Sequence, residues 1–78
     1  MPGIRIGPYG ISFYEYDLRE PAHVHVRREW KQAKFWLAPV ALARNNGFPA
    51  HELSAIEALL RENQEKLLAL WNGERNKL

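Results

Sequence analysis

Residues 23–37 have the sequence HVHVRREWKQAKFWL, whose alternation of residue types predicts two β-strands. Successive side chains of a strand point to opposite faces of a sheet, so residues two apart lie about 7 Å apart on one face. His23, His25 and Arg27 therefore form a row on one face of the first strand. The alternate positions of the two strands are apolar: Val24, Val26, Ala33, Phe35 and Leu37. The stretch predicts a sheet with one buried face and one polar face.

A third strand is predicted upstream, where Ile11–Tyr16 is rich in aromatic and β-branched residues. The three predicted strands cover residues 11–16, 23–30 and 33–38, with Lys31 and Gln32 as a tight turn. Short consecutive strands with close connections predict an antiparallel meander. Ile4 and Ile6 could add a short N-terminal edge strand to it.

A connection separates these strands from the C-terminal half of the chain. Pro39 ends the last strand because proline has no N–H to donate to a neighbouring strand. Residues 40–44 are interpreted as a short apolar connection, and Asn45-Asn46-Gly47 is a strong turn signal.

One long helix is predicted from Pro49 to Asn72. Proline is preorganised for a first helical turn, and Glu52 suits the positive end of the helix dipole. Apolar residues recur at helical spacing on one stripe: Leu53, Ile56, Leu60, Leu67 and Trp71. Gly73 is a natural stop, which leaves residues 73–78 as a frayed tail. A straight helix of this length measures about 36 Å, so it overhangs a three-stranded sheet or bends.

These elements predict an α+β fold: a small antiparallel three-stranded sheet packed against one long C-terminal helix, in a single domain of residues 1–78. The residues expected to be buried are Val24, Val26, Phe35, Leu37, Leu53, Ile56 and Leu60. A domain of this size buries only about 60% of the surface of its unfolded chain, so a partner protein or a second copy is expected.

Composition excludes several classes of site. The chain has no cysteine, which rules out disulfides, a thiolate zinc site and a cysteine nucleophile. It has no apolar run of the roughly 18 residues that a membrane span requires, and it begins without the apolar segment of a secretory signal. We therefore expect a cytoplasmic protein that makes no membrane contact.

Positive charge is concentrated in residues 1–44, which hold seven of the eleven basic residues against four acidic ones. Within this half, residues 27–36 interleave cations with aromatic side chains, a mixture that can bind phosphates and stack on bases. The predicted contacts with nucleic acid or a partner are Arg28, Lys31, Lys34 and Trp36. The structural alternative is that the tryptophans pack under the helix and the cations protect an edge strand from aggregation.

The row of His23, His25 and Arg27 is the candidate catalytic site. One histidine could act as base and the other as acid, with the guanidinium stabilising phosphate charge, as in a metal-independent ribonuclease. A metal site would need further ligands, for which the chain offers His51 and the carboxylates Glu15, Asp17 and Glu20. The third alternative is that His23, His25 and Arg27 form a half-exposed polar face that neither catalyses a reaction nor binds a metal. We predict no metal and no cofactor.

The end of the predicted helix carries a wide apolar arc that includes Leu68, Leu70 and Trp71. The arc either closes the core or exposes a docking surface for a partner.

Two segments, residues 11–14 and 20–26, resemble the signature (E/H)PPH(F/I)HV of small bacterial proteins known as domain of unknown function 4160. Residues 42–48 resemble that family's connection before its helix, and the resemblance covers residues 9–72. The helix positions that match are Glu52-Leu53, Ile56, Glu62-Asn63, Leu67-Leu68 and Trp71-Asn72. Ala22 replaces a common proline, and Pro49 replaces a common polar helix cap.

The resemblance implies no defined activity, but it implies a partner. Genes of this family often lie beside those of domain of unknown function 2442, an arrangement that resembles a toxin–antitoxin pair. The leading hypothesis is a toxin-like component that binds a cognate small protein encoded nearby. The alternative is a DNA- or RNA-binding module, with ribonuclease chemistry at the paired histidines as a further option.

Overall fold

The structure is a computed structural model that describes residues 3–14 and 18–76. Five strands form one antiparallel sheet in chain order: β1 (Gly3–Ile6), β2 (Tyr9–Ser12), β3 (His23–Arg28), β4 (Lys31–Leu37) and β5 (Val40–Asn46). Two helices follow the sheet: α1 (Ala50–Glu62) and α2 (Gln64–Arg75). The α+β class is correct, but the prediction of a three-stranded sheet under one long helix is wrong.

Strand β1 is the short edge strand suggested by Ile4 and Ile6. It pairs with β2 across the Gly7-Pro8 turn, where Gly7 has a φ of 57°. Strand β2 begins and ends earlier than the predicted segment 11–16, and residues 15–17 lie outside the described part of the chain.

Strand β5 covers residues 40–44, for which the sequence wrongly predicts a connection. The chain reverses at Ala38-Pro39, and Val40 then pairs with Leu37. Alanine and asparagine dominate the strand, although both are rare in strands. Hydrogen bonding to β4 overrides this weak local preference, and the register shifts by one residue between Lys34 and Phe35.

The turn between β3 and β4 lies at Glu29-Trp30, two residues earlier than predicted. A two-residue hairpin requires a positive φ, and Glu29 adopts one of 57°. Lys31 and Gln32 instead pair with Arg28 and Arg27.

The turn that leads from β5 into the helices depends on glycine at position 47. Gly47 has a φ of +105°, and a Cβ atom there would collide with the ring of Trp30. Asn45 closes the same turn, because its side chain accepts a hydrogen bond from the Phe48 amide at 3.0 Å and donates one to the Phe48 carbonyl at 2.9 Å.

The predicted long helix is broken at Asn63. The Asn63 side chain donates a hydrogen bond to the Leu59 carbonyl at 2.8 Å, a local bond that competes with regular helix geometry. Gln64 then donates to the Leu37 carbonyl at 2.6 Å, which ties the start of α2 to the end of β4. Helix α2 passes through Gly73 and ends at Arg75, so the predicted glycine stop is wrong; residues 77–78 lie outside the described part of the chain.

The core lies between one face of the sheet and the two helices. Six of the seven residues expected to be buried are fully buried, and Leu53 is half-buried against them. The helices contribute Ile56, Leu60, Leu67 and Trp71 to the same cluster. Within the described residues, neither helix is long and apolar enough to cross a membrane.

Replacing Leu60 by alanine tests this core. The side chain is fully buried, so the Leu60→Ala variant should lose about 2–5 kcal/mol of the free energy of unfolding, measured by urea denaturation. Glu62→Ala, at an exposed position of the same helix, is the control and should change stability by less than about 0.5 kcal/mol. Equal effects of the two variants would contradict the described packing.

Candidate functional site

The face of the sheet opposite the core carries polar and charged side chains. Cross-strand pairing places on it the residues that are in phase with His25, and we call eight of them the open face: Arg5, Ser12, His25, Arg27, Gln32, Lys34, Arg44 and Asn46. Two depressions on this face have His25 and Gln32 in common among their lining residues. The depressions therefore adjoin, and they cross the sheet from β1 to β5.

The open face is organised in rows that run across the strands. In one row, His25 pairs with Ser12 on one side and Lys34 on the other, and Lys34 pairs in turn with Arg44. Directly paired side chains on one face lie about 4.5–5.5 Å apart at Cβ, so these residues are close neighbours. A parallel row contains Arg5, Gly10, Arg27, Gln32 and Asn46.

Four strands place a cation on the open face: Arg5, Arg27, Lys34 and Arg44. Arg5, Arg27 and Arg44 are exposed. Lys34 is partly covered and donates to Glu20 Oε1 at 2.8 Å. The face therefore carries an excess of positive charge in its described part.

Aromatic rings border these cations. The Lys34 ammonium lies 4.7 Å from the centre of the Trp36 ring, within the range of a cation–π interaction. The Tyr14 ring lies 5.3 Å from the His25 ring and is 38% exposed. Tyr14 lines the same depression as His25 and Arg27.

The two candidate catalytic histidines occupy different environments. His23 is fully buried: its ring lies 5.0 Å from that of Trp71 and 5.7 Å from that of Trp36, and its Nδ1 donates to the Pro21 carbonyl at 2.9 Å. His25 is half-buried and lines both depressions. The two rings are 5.3 Å apart, with His25 at the depressions and His23 packed behind it.

Arg28 and Lys31, two of the predicted nucleic-acid contacts, lie on the helix side of the sheet. Both bind the carboxylate of Glu52 in the first turn of α1, at 3.1 Å and 3.2 Å. The Tyr9 hydroxyl donates to the same carboxylate at 2.9 Å. This Glu52 cluster joins β2, the β3–β4 hairpin and α1, so its cations stabilise the fold and are not displayed on the open face.

The Glu52 cluster shifts the pKa values of its members. Burial disfavours the charged carboxylate, but hydrogen bonds from Tyr9, Lys31 and Arg28 outweigh this and hold the pKa of Glu52 below its ordinary value of 4.5. Burial and the bond to Glu52 raise the pKa of Tyr9 above 10.0. The bond to Glu52 likewise raises the pKa of Arg28. All three residues therefore keep their charge states at neutral pH.

The apolar arc of α2 contributes mainly to the core. Trp71 is 1% exposed and packs on Phe13 at 5.1 Å between ring centres, and Leu68 and Leu70 are half-buried against the same cluster. The arc leaves little apolar surface for a partner in the described residues.

Four residues belong to the site although the sequence did not point to them: Arg5, Gln32, Arg44 and Asn46. Arg44 and Asn46 are two residues apart on β5, so recognising that strand would have placed both on one face. No cluster of three histidine, aspartate or glutamate side chains suited to a metal ion occurs among the described residues. Glu15 and Asp17, which were considered as ligands, lie outside them.

Replacing Glu52 by glutamine should lower the melting temperature, because it removes the charge that Arg28 and Lys31 bind. Since the pKa of Glu52 is lower in the folded state, its charge stabilises the protein above pH 4.5, and this contribution is lost as pH falls toward the folded-state pKa. Wild type should therefore lose more stability than Glu52→Gln on acidification in thermal melts. Parallel pH profiles would contradict this role.

The two histidines should respond differently to alanine. His23→Ala leaves a cavity beside Trp71 and should lower the melting temperature clearly, whereas His25→Ala should leave it nearly unchanged. Circular dichroism melts of both variants measure the difference. A stable His23→Ala variant would show that the buried ring does not support the fold.

No curated protein and no solved structure matches the chain. One family matches residues 9–72, and its description is domain of unknown function. The matched segment contains β2 to β5, α1 and most of α2, and thus nearly all of the open face. The chain therefore belongs to the DUF4160 family, as the motif around His23 and His25 predicted.

Proposed function

We propose that this protein binds nucleic acid through the open face of its sheet. The observation that carries the proposal is the row of His25, Lys34 and Arg44, flanked by Arg27 and Arg5, on the side of the sheet opposite the core. Lysine and arginine bind phosphate oxygens, and such contacts release counterions and supply most of the non-sequence-specific affinity for nucleic acids.

The spacing of the cations supports contact with several phosphates at once. Arg27 and His25 are two residues apart on β3, which places them about 7 Å apart along the strand. Lys34 and Arg44 extend the same surface across β4 and β5. A phosphate chain that lies across these strands can therefore meet cations at several points.

Ribonuclease chemistry is less well supported than binding. The paired mechanism needs two imidazoles at the scissile phosphate, and His23 is fully buried beneath Trp36 and Trp71. His25 can contact a phosphate, but it would act without a second exposed imidazole beside it. Binding requires only the charges that the open face displays.

Partner binding by a toxin-like component stays a prediction based on the family resemblance. Co-expression with the neighbouring gene product, followed by size-exclusion chromatography, tests it independently of nucleic acid. Co-elution would support a cognate protein partner, and separate peaks would count against one.

Removing cations from the open face should weaken binding and reduce its salt dependence. Each of Lys34→Ala and Arg44→Ala should lower affinity several-fold and reduce the slope of log K against log salt by about 0.7–0.9 per lost phosphate contact. Titrations at several salt concentrations with a labelled oligonucleotide measure both quantities.

Arg61→Ala is the matched control, because it removes an exposed arginine from α1, which packs against the apolar face of the sheet. It should leave affinity and slope unchanged. An absence of binding at low salt, or an equal loss in Arg61→Ala and Arg44→Ala, would refute the proposed interface.

A further inference from the structure

We infer that the open face binds single-stranded nucleic acid in preference to a duplex. This inference rests on the proposed function and adds the class of ligand. It follows from three features: the width of the open face, an exposed aromatic ring beside it and its paired amides.

The width of the sheet favours a single strand over a duplex. Five strands spaced about 4.8 Å apart span about 19 Å between the axes of β1 and β5. The major groove of B-DNA is about 12 Å wide and admits a helix or a two-stranded ribbon. The cations extend from Arg5 on β1 to Arg44 on β5, so the whole face cannot enter a groove, whereas a single strand can lie across it.

An exposed aromatic ring beside the open face also favours a single strand. Tyr14 is 38% exposed beside His25 and lines the depression that also contains Arg27. An exposed ring next to phosphate-binding cations allows a base to stack while its phosphate is held. Bases in a duplex already stack on each other, so this surface is available only to an unpaired base.

A pair of exposed amides likewise favours a single strand. Gln32 and Asn46 lie opposite each other on β4 and β5, and both are exposed. Each amide offers both a hydrogen-bond donor and an acceptor. The edges of bases also carry both, whereas the oxygens of phosphate only accept, so the amides match bases better than phosphates. In a duplex the Watson–Crick edges are occupied, so these amides can reach them only on a single strand.

The two depressions connect these features. His25 and Gln32 line both, so a continuous path leads from Tyr14 past His25 to the amides at Gln32 and Asn46. Arg27 lines one depression, and Lys34 and Arg44 line the other. A strand on this path would place bases on Tyr14 and at the amides, with cations alongside its phosphates.

The test compares a labelled oligonucleotide of about 12 nucleotides, alone and annealed to its complement, by fluorescence anisotropy at one salt concentration. DNA and RNA versions are measured separately. The single strand should bind at least about 10-fold more tightly than the duplex for DNA, for RNA or for both. Equal or tighter duplex binding would overturn the inference but leave the proposed function intact, whereas no binding of either form would refute the proposed function itself.

Variants of Tyr14 test whether a base stacks on its ring. Tyr14→Ala should weaken single-strand binding about 5- to 150-fold, corresponding to the loss of one stacked base, and should not weaken duplex binding. Tyr14→Phe retains the ring and should retain the affinity. Single-strand affinity that survives Tyr14→Ala in a folded protein would overturn this part of the inference.

Gln32→Ala tests the amides at an exposed position. It should reduce the difference in affinity among single-stranded homopolymers while leaving the salt slope unchanged, because an amide contributes base contacts and no phosphate charge. An unchanged preference among homopolymers would show that Gln32 does not contact bases.

Discussion

Covering one face of the sheet is the constraint on which the rest of this structure depends. Full burial of a valine, leucine, isoleucine or phenylalanine side chain contributes about 1.5–3 kcal/mol, and Val24, Val26 and Phe35 are completely buried. Because side chains of a strand alternate, each buried residue directs its neighbour to the other face. Burying Val24 and Val26 therefore places His25 and Arg27 on the open face, so the candidate site is a consequence of the core.

The sheet also separates cations that are neighbours in the sequence. Arg27 and Arg28 are adjacent, yet Arg27 lies on the open face and Arg28 binds Glu52 on the helix side. Lys31 and Lys34 divide in the same way. A basic segment that looks uniform in the sequence thus supplies one set of charges that anchors α1 and another that faces outward.

The break at Asn63 lets a small domain cover a five-stranded sheet. An unbroken helix over residues 49–72 would be about 36 Å long, equal to the longest dimension of the molecule. Two shorter helices follow the sheet instead, with α1 against β5 and α2 against β4. The bond from Gln64 to Leu37 fixes where the second helix starts.

The sequence by itself determined the α+β class, the alternation of buried and polar residues in residues 23–37, most of the core and the family. The class, the alternation and the core follow from local periodicity, which a strand or helix imposes on its own residues, and the family follows from the motifs within residues 9–72. Only the tertiary structure decided that residues 40–46 form a strand, that His23 is buried under Trp71, and that Arg5 and Arg44 join the open face. Alanine and asparagine have little intrinsic preference for strands, so β5 exists because β4 offers it hydrogen-bonding partners. The composition of the site depends on pairing between distant segments, and no local pattern encodes that pairing.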